Sequence, residues 1–425
     1  MLYPKMVHLI LFAALLTGLG SVLAACQKDP VITAMPDAGS DPIKINLTPT
    51  GSIQTPSLCE RLGVDQRVTT TGASSFGFLW AAGHYQVVFS DVMNGDIYSV
   101  QLDRNGVPKA APERVEATPG ASALPVLLQT KTGFLVAWQD DVNVRLHALD
   151  PAGHPVGSGH NVAAGRSSQT RPVLSASPMG TAIAWMNQTV DSSNMLDDVG
   201  DSETNIALVA DDLTLRTDIP QKRITQSEGA GYPWLAGDAD ELSVLWSETI
   251  NSRTDTVVST VSAQLGIPLK TPTRDAGALN AALLGRLLKT DFGYVASWED
   301  HRSGQAEIYM SLLDPQGNVY AGGLVEEPNT GNANWSHMAW TGSAAAIVYY
   351  QYRAGKPQIF LTFIDSHGKR IGGAADMQFS NTTLQARFPD VVWNGDEFGG
   401  IWIDARDGQT EMYFNRATCK TPAPI

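Results

Sequence analysis

Four carboxylates near the C-terminal half of the chain are the residues best suited to acid and base chemistry. They are Glu299, Asp300, Asp390 and Asp404. Glycosidases use two such carboxyl groups, which lie about 5 Å apart in retaining enzymes and further apart in inverting ones. The sequence is therefore compatible with the function of a carbohydrate-active hydrolase. It contains no His-Glu-x-x-His, paired Cys-x-x-Cys, Gly-x-Ser-x-Gly or phosphate-binding glycine loop, so we expect no metal and no cofactor.

Arginine and aromatic residues recur beside these carboxylates and favour binding instead. Both residue types combine a large contact area with directional interactions, as recognition of a glycan, peptide or protein requires. The candidate ligand-binding residues are Arg171, Tyr232, Trp335, His337, Arg387, Arg302 and Arg406. A structural alternative stays open for two of them, because Arg302 can pair with Asp300 and Arg406 with Asp404.

A repeated cassette surrounds all of these residues. Each copy has two apolar strands, the second ending near an aromatic residue, then a polar turn and a third strand closed by Asp-x-x-Gly, as in GYVASWEDHRSGQAEIYMSLLDPQGN from Gly293. The aspartate and glycine suit a tight turn that needs side-chain capping and a positive φ. A single Asp per turn supplies too few oxygen ligands for calcium.

The copies predict an all-β fold, a seven-bladed β-propeller of four-stranded blades. Seven anchors close the second strands: Phe89, Trp138, Trp185, Trp246, Trp298, Tyr349 and Trp402. Six or eight blades remain alternatives. In the last copy we expect strands over 389–393, 398–404 and 411–417 and no fourth one. Residues 66–70 resemble a fourth strand without a blade of its own, which predicts that they complete the last blade and close the ring.

The two ends of the ring carry a predicted disulfide. Only Cys26, Cys59 and Cys419 are present, and antiparallel pairing of the closing strand would bring Cys59 and Cys419 to one corner. In the chain-entropy model a loop this long would contribute about 6 kcal/mol at most. Such a bond persists in an exported compartment.

The N-terminus predicts that compartment. Residues 1–25 contain Lys5, a short apolar run and small residues before Cys26, which indicates a signal peptide. Leu23-Ala24-Ala25-Cys26 resembles the bacterial lipobox, which implies acylation of Cys26, including palmitate, and a lipid anchor in the membrane. Gln27 at the next position implies the outer membrane, with the leaflet left open. Residues 26–58 form a flexible tether, residues 59–419 the propeller and residues 420–425 a tail.

WEDHRSGQAEIYMSLLD from Trp298 and WIDARDGQTEMYFNRA from Trp402 resemble the TolB and WD40-like (PD40-like) propeller repeats of bacterial envelope proteins. The resemblance implies the propeller fold and an envelope location. It is clear in two copies and partial at Tyr350, and the usual Ser-Pro-Asp-Gly turn is missing. Because propellers serve many functions, it implies no particular partner.

The net charge and one insertion bear on which partners the protein can bind. The formal net charge of −14 does not favour nucleic acid, and the chain has no basic stripe. An acidic, Ser-containing insertion over 186–204 is read as a solvated loop, with a cation-sensitive lid as its alternative. Together these features predict a monomeric, membrane-anchored binding or scaffold module for an unknown protein, peptide or glycan, with the hydrolase as the competing function.

Overall fold

The computed structural model describes residues 59–162, 168–188, 202–225, 229–250, 253–261, 273–274, 282–325, 331–353, 355–371 and 376–419. These residues form β-strands joined by turns, without a helix. Within these ranges no helix is long and apolar enough to span a membrane. Cys26 and the centre of the 186–204 insertion lie outside the described residues.

The first four blades are formed by sixteen consecutive strands. Blade 1 contains β2 (Ala73–Ala81), β3 (His84–Asp91), β4 (Ile97–Leu102) and β5 (Glu113–Glu116). Blade 2 contains β6 (Ser122–Gln129), β7 (Phe134–Asp140), β8 (Asn143–Leu149) and β9 (Pro155–Asn161). Blade 3 contains β10 (Ser168–Ser177), β11 (Gly180–Gln188), β12 (Ser202–Val209) and β13 (Lys222–Arg223). Blade 4 contains β14 (Ala230–Gly237), β15 (Leu242–Ile250), β16 (Arg253–Val261) and β17 (Thr273–Arg274).

The remaining strands form three further blades. Blade 5 contains β18 (Ala282–Thr290), β19 (Gly293–Asp300), β20 (Glu307–Leu313) and β21 (Val319–Leu324). Blade 6 contains β22 (Ala333–Trp340), β23 (Ala345–Arg353), β24 (Lys356–Ile364) and β25 (Met377–Gln378). Blade 7 contains β26 (Ala386–Trp393), β27 (Phe398–Asp404) and β28 (Glu411–Cys419), and its fourth strand is β1 (Cys59–Arg67).

The seven sheets form a closed ring, which confirms the predicted propeller. Each sheet is antiparallel and has four strands. The first strand of each blade contacts the first strands of the neighbouring blades, including the pair β2 and β26 across the closure. These first strands are the inner strands of the ring and surround a central channel.

The closing strand begins earlier than expected. It covers Cys59–Arg67 rather than residues 66–70, and Gln66 and Arg67 are its last members. Asp65, on this strand, accepts hydrogen bonds from Arg406 (2.9 Å) and Asn415 (2.7 Å), both in blade 7. A buried carboxylate therefore fixes the strand to the blade, in addition to the backbone ladder.

The aromatic anchors form the centre of each blade interface. All seven are at most 2% exposed, because every sheet packs against neighbouring sheets on both faces. The turns after the third strands are also as predicted: Asp103 Oδ1, for example, accepts the backbone N–H groups of Asn105 and Val107, and Gly106 has a φ of 83°. Asp150, Asp314 and Asp365 accept equivalent bonds in their turns.

The termini of the propeller meet at one corner. Cys59 is disulfide-bonded, and the register places its Cα opposite that of Cys419. The bond between these two residues stays a prediction, which this register supports.

Candidate functional site

The starts of the inner strands and the hairpins between second and third strands lie on the same face of the ring. Ala386, which begins β26, pairs with Asp404, which ends β27, and Ala333 pairs likewise with Gln351 in blade 6. The blade-entry segments and the hairpins therefore lie at the same end, as the sequence predicts. We call this end the open face and the adjoining part of the channel its mouth.

A β-bulge interrupts every inner strand close to the open face. The pairing register shifts in all seven blades, for example between Arg387 and Asp390 in β26. This bulge also explains why the sequence placed the start of β26 at Pro389 instead of Ala386: the extra residue breaks the alternation of apolar side chains. Bulges redirect side chains, and here they lie beside the channel.

Six of the bulges hold a non-glycine residue in the left-handed backbone region. Their φ values lie between 52° and 55°, and the residues are Leu124, Arg171, Tyr232, Leu284, Trp335 and Phe388. Such a conformation costs about 1–3 kcal/mol for each residue and often marks a functional site. Three of the sequence-predicted ligand residues, Arg171, Tyr232 and Trp335, are therefore at equivalent positions of three blades.

Four side chains at the position two residues after the bulge meet inside the channel. Trp234, Arg286, His337 and Asp390 come from blades 4, 5, 6 and 7, and we call them the channel cluster. The ring centroids of Trp234 and His337 are 5.5 Å apart although blade 5 separates their blades. A contact that skips a blade must pass through the channel. The cluster therefore obstructs the channel on the side of blades 4–7.

Hydrogen bonds connect three members of the cluster in a row. Arg286 Nε donates to His337 Nε2 at 3.1 Å, and His337 Nδ1 lies 3.0 Å from Asp390 Oδ1. These contacts fit a neutral imidazole that accepts at Nε2 and donates from Nδ1. Burial lowers the pKa of His337 below 6.5, and the Arg286 charge acts in the same direction against the opposing influence of Asp390.

Arg286 is a buried cation between two indole rings. Its guanidinium lies 4.3 Å from the Trp234 ring centroid and 5.4 Å from that of Trp335. Nη1 donates to the carbonyls of Leu284 and Gly285. Burial lowers the pKa of Arg286 to about 9, so the group is charged at neutral pH.

The bulge residues form a rim around the mouth, in which Tyr232 is buried and the others are half-buried. The Arg171 guanidinium lies 4.5 Å from the Tyr232 ring centroid, and the Trp335 and Phe388 rings meet edge to face at 5.1 Å. Arg387 is next to Phe388 in sequence, and its guanidinium lies 5.6 Å from the Tyr352 ring centroid. The structure thus brings Arg171, Tyr232, Trp335, His337 and Arg387 to one mouth.

Arg302 and Arg406 occupy a different setting in the hairpins. Arg302 donates to both carboxylate oxygens of Asp300, and Arg406 donates through Nε and Nη2 to Asp404. Each guanidinium also stacks on an aromatic residue of the third strand, Tyr309 at 4.2 Å and Tyr413 at 4.1 Å. The ion pairs that the sequence offered as a structural alternative are therefore present.

The four candidate catalytic carboxylates all have partners. Asp300 and Asp404 also accept the indole N–H groups of Trp298 (2.9 Å) and Trp402 (3.3 Å). Burial alone would raise the pKa of Asp300, but its bonds from Arg302 and Trp298 hold the pKa below its usual value. Glu299 lies 3.1 Å from His301, and Asp390 belongs to the channel cluster. Among the residues described, no group of three or more His, Cys, Asp or Glu side chains could hold a metal ion.

Arg286 was not among the residues selected from the sequence. One signal points to it: the inner strands of blades 4–7 begin with Ala230, Ala282, Ala333 and Ala386, and the fifth residue of each is a cluster member. An alignment of the copies on this alanine would place Arg286 beside His337 and Asp390.

Comparison with known proteins identifies no family. No family model matches the chain, and no curated protein matches it. Solved structures similar to it include a puromycin-hydrolyzing peptidase of Mycobacterium tuberculosis, with 14% identity, a TM-score of 0.48 and coverage of 78% of this chain and 50% of that one. Trypanosoma rangeli sialidase has 8% identity and a TM-score of 0.46, with 84% of this chain and 59% of that one covered. TolB from Acinetobacter baumannii has 13% identity, a TM-score of 0.36 and coverage of 70% and 80%.

The chain thus spans between half and three fifths of the length of the first two of these proteins. At such identities and TM-scores they carry no argument about activity or partners.

Proposed function

We propose that this protein is a lipid-anchored module of the bacterial envelope whose open face binds a protein, peptide or envelope glycan at the channel mouth. The observation that carries this proposal is the convergence of aromatic and cationic side chains from blades 3–7 above an obstructed channel. Because the channel cluster obstructs the channel, a ligand is retained at the mouth, whereas an open channel would let it pass.

The backbone of the mouth supports the same proposal. Arg171, Tyr232 and Trp335 all keep the left-handed conformation that recurs at the bulge of six blades, which places them at equivalent positions around the mouth. Strain of this kind persists where the surrounding fold imposes it, and ligand sites are a common place for it. Tyr and Trp supply contact area, and Arg supplies directional donors.

A hydrolase has less support from this geometry. Asp300 is held by Arg302 and Asp404 by Arg406, each with two or more side-chain hydrogen bonds. A catalytic acid must release and take up a proton, and the bonds from Arg302 and Trp298 hold the pKa of Asp300 below its usual value. Two of the four candidate carboxylates therefore hold the hairpins, and the other two, Glu299 and Asp390, contact histidines.

Crosslinking and pull-down from native envelopes test the binding face. We expect Trp335→Ala, Arg171→Ala and Arg387→Ala each to reduce recovery of the crosslinked partner. Tyr320→Ala is the matched control, because Tyr320 is a 45% exposed aromatic residue on the outer strand β21. Unchanged recovery in all three mouth variants would exclude the mouth as the binding site.

The anchor is tested separately. We expect Cys26→Ser to move the protein from the membrane fraction to the soluble fraction and to abolish labelling by radioactive palmitate, because several acyl chains are needed for durable attachment. A variant that stays membrane-bound and labelled would contradict the lipid anchor without affecting the binding face.

A further inference from the structure

We infer that the mouth contains an oxyanion site, formed by Arg171 and Arg286, that takes the C-terminal carboxylate of a peptide or protein chain. This inference rests on the proposed binding function and specifies its ligand. The guanidinium groups of Arg171 and Arg286 differ from those of the hairpin arginines in the groups that contact them.

Arg286 has donor capacity that the protein leaves unused. Nε and Nη1 donate to His337 and to two backbone carbonyls. Among the residues that the structure describes, Nη2 has no hydrogen-bond partner and no carboxylate pairs directly with the guanidinium. The residue is nevertheless only 9% exposed. A buried cation normally has an anionic partner, because transfer of an unpaired charge out of water is costly.

Arg171 presents a second cation to the same space. Its guanidinium lies over Tyr232, and within the described part of the chain it has neither a hydrogen bond nor an ion pair. The two guanidinium groups stack on Tyr232 and Trp234, which belong to the same strand β14. Asp390 is the nearby negative charge and favours the protonated form of Arg286, against the weaker opposing effect of Arg171, but its carboxylate is bonded to His337. An oxyanion bound by both guanidinium groups would supply the direct partner that neither has among the described residues.

The shape of the mouth favours the end of a chain. Trp234, Arg286 and His337 together obstruct the channel on the side of blades 4–7, so a ligand that enters there from the open face stops at the channel cluster. A carboxylate at a chain terminus can reach the channel cluster, whereas a carboxylate in mid-chain would need room for the chain to continue on both sides.

The walls favour a peptide over an acidic sugar. Phe388 meets Trp335 edge to face at 5.1 Å and Tyr350 at 5.9 Å, which forms an apolar wall suited to the side chain next to the carboxylate. A sugar would need several acceptors for its hydroxyl groups. Among the described residues, the Asp390 and Glu299 carboxylates are already bonded to His337 and His301.

Affinity selection from peptide libraries tests the site. The full-length protein is presented with a random tetrapeptide library that has free C-terminal carboxylates and with the same library amidated at the C-terminus. We expect enrichment from the first library only. Equal enrichment from both, or enrichment from neither, would overturn the inference.

Titration of the best enriched tetrapeptide supplies the residue-level test. We expect Arg171→Gln to weaken binding tenfold or more, a loss of about 1.4 kcal/mol or greater. Arg286→Lys should weaken it similarly, because lysine keeps the charge but cannot donate the same paired hydrogen bonds. The matched control Lys131→Gln removes an exposed positive charge from the first-to-second turn of blade 2, on the opposite face, and should leave the affinity unchanged.

Two results decide against the inference at this stage. One is wild-type affinity in Arg171→Gln and Arg286→Lys, with near-ultraviolet circular dichroism showing that both are folded. The other is binding of glucuronic acid as tight as that of the peptide, which would assign the site to acidic sugars. If Trp335→Ala still abolished capture of the envelope partner, only the carboxylate site would fail and the proposed binding face would stand.

Discussion

The arginines of the hairpins and those of the channel mouth lie on the same face of the ring but in opposite electrostatic settings. Arg302 and Arg406 each donate at least two hydrogen bonds to a buried carboxylate. Arg353 in blade 6 donates to Gln351 (2.7 Å) and Asp376 (2.9 Å). Arg171 and Arg286, by contrast, pair with no carboxylate in the described ranges.

This difference is the basis for proposing a structural role for one set of arginines and a ligand-binding role for the other. The hairpin arginines use their donors within the fold, and each also covers an aromatic ring of the third strand, so their removal would disrupt the blade. The channel arginines cover aromatic rings too. Stacking on an aromatic ring therefore does not distinguish the two sets, whereas carboxylate pairing does.

The largest expected effect comes from the same substitution made in both settings. Arg406→Met should lower the free energy of unfolding by about 3 kcal/mol, because it leaves the buried carboxylates of Asp404 and Asp65 without their shared cation. Arg286→Met should lower it by less, because no carboxylate is directly paired with Arg286 and only neutral acceptors on His337, Leu284 and Gly285 lose a donor. Urea unfolding measures both values.

Lys131→Met is the control for this pair, because Lys131 is an exposed cation in the first-to-second turn of blade 2. Equal losses in the Arg406 and Arg286 variants would show that the two settings are energetically alike.

His301 in a hairpin and His337 in the channel cluster extend the comparison, because their pKa values shift in opposite directions. The hydrogen bond that Glu299 accepts raises the pKa of His301 above 6.5 despite partial burial. Burial lowers the pKa of His337, and the Arg286 charge acts in the same direction while Asp390 opposes it. Titration of the ring C–H signals by NMR should show the two shifts in opposite directions. Shifts of the same sign would contradict the contrast between hairpin and channel.

The two histidines should also give stability opposite dependences on pH. For His337 the unfolded state binds a proton more readily, so stability falls as the pH drops below 6.5, by at most about 1.4 kcal/mol per pH unit. For His301 the folded state binds the proton more readily, so its contribution is full below 6.5 and is lost as the pH rises through its folded pKa. His337→Gln and His301→Gln should each remove one of these slopes from the unfolding free energy.

The smallest expected effect is that of Arg171→Gln on stability. Because Arg171 is partly exposed and unpaired within the described residues, its replacement should change the free energy of unfolding by no more than about 0.5 kcal/mol. Thermal unfolding at fixed pH provides the measurement, with Lys131→Gln as the charge control. A loss above about 2 kcal/mol would mean that Arg171 holds the fold together as Arg406 does.

The features predicted correctly from the sequence are those that each copy of the repeat encodes by itself. The anchors Phe89 to Trp402 are buried in every blade, and Asp103 and Gly106 form the expected turn. The closing strand was expected to begin at Gln66 but begins at Cys59, because Asp65 and its neighbours carry no apolar alternation that would mark a strand.

The channel cluster shows what a single copy cannot encode. Trp234, Arg286, His337 and Asp390 are separated along the chain by whole blades, and each of their strands contains a bulge that breaks the periodicity used to orient side chains. Asp390 and His337 were therefore selected for separate roles, and Arg286 was not selected.

The sequence by itself determined the blade number, the circular closure and the composition of the open face, because apolar period, turn residues and anchors are local properties repeated seven times. The pairs Arg302–Asp300 and Arg406–Asp404 are local as well, since each lies within one hairpin. Tertiary structure alone decided that Trp234, Arg286, His337 and Asp390 meet, because the closed ring and its bulged inner strands bring these side chains together from four different blades.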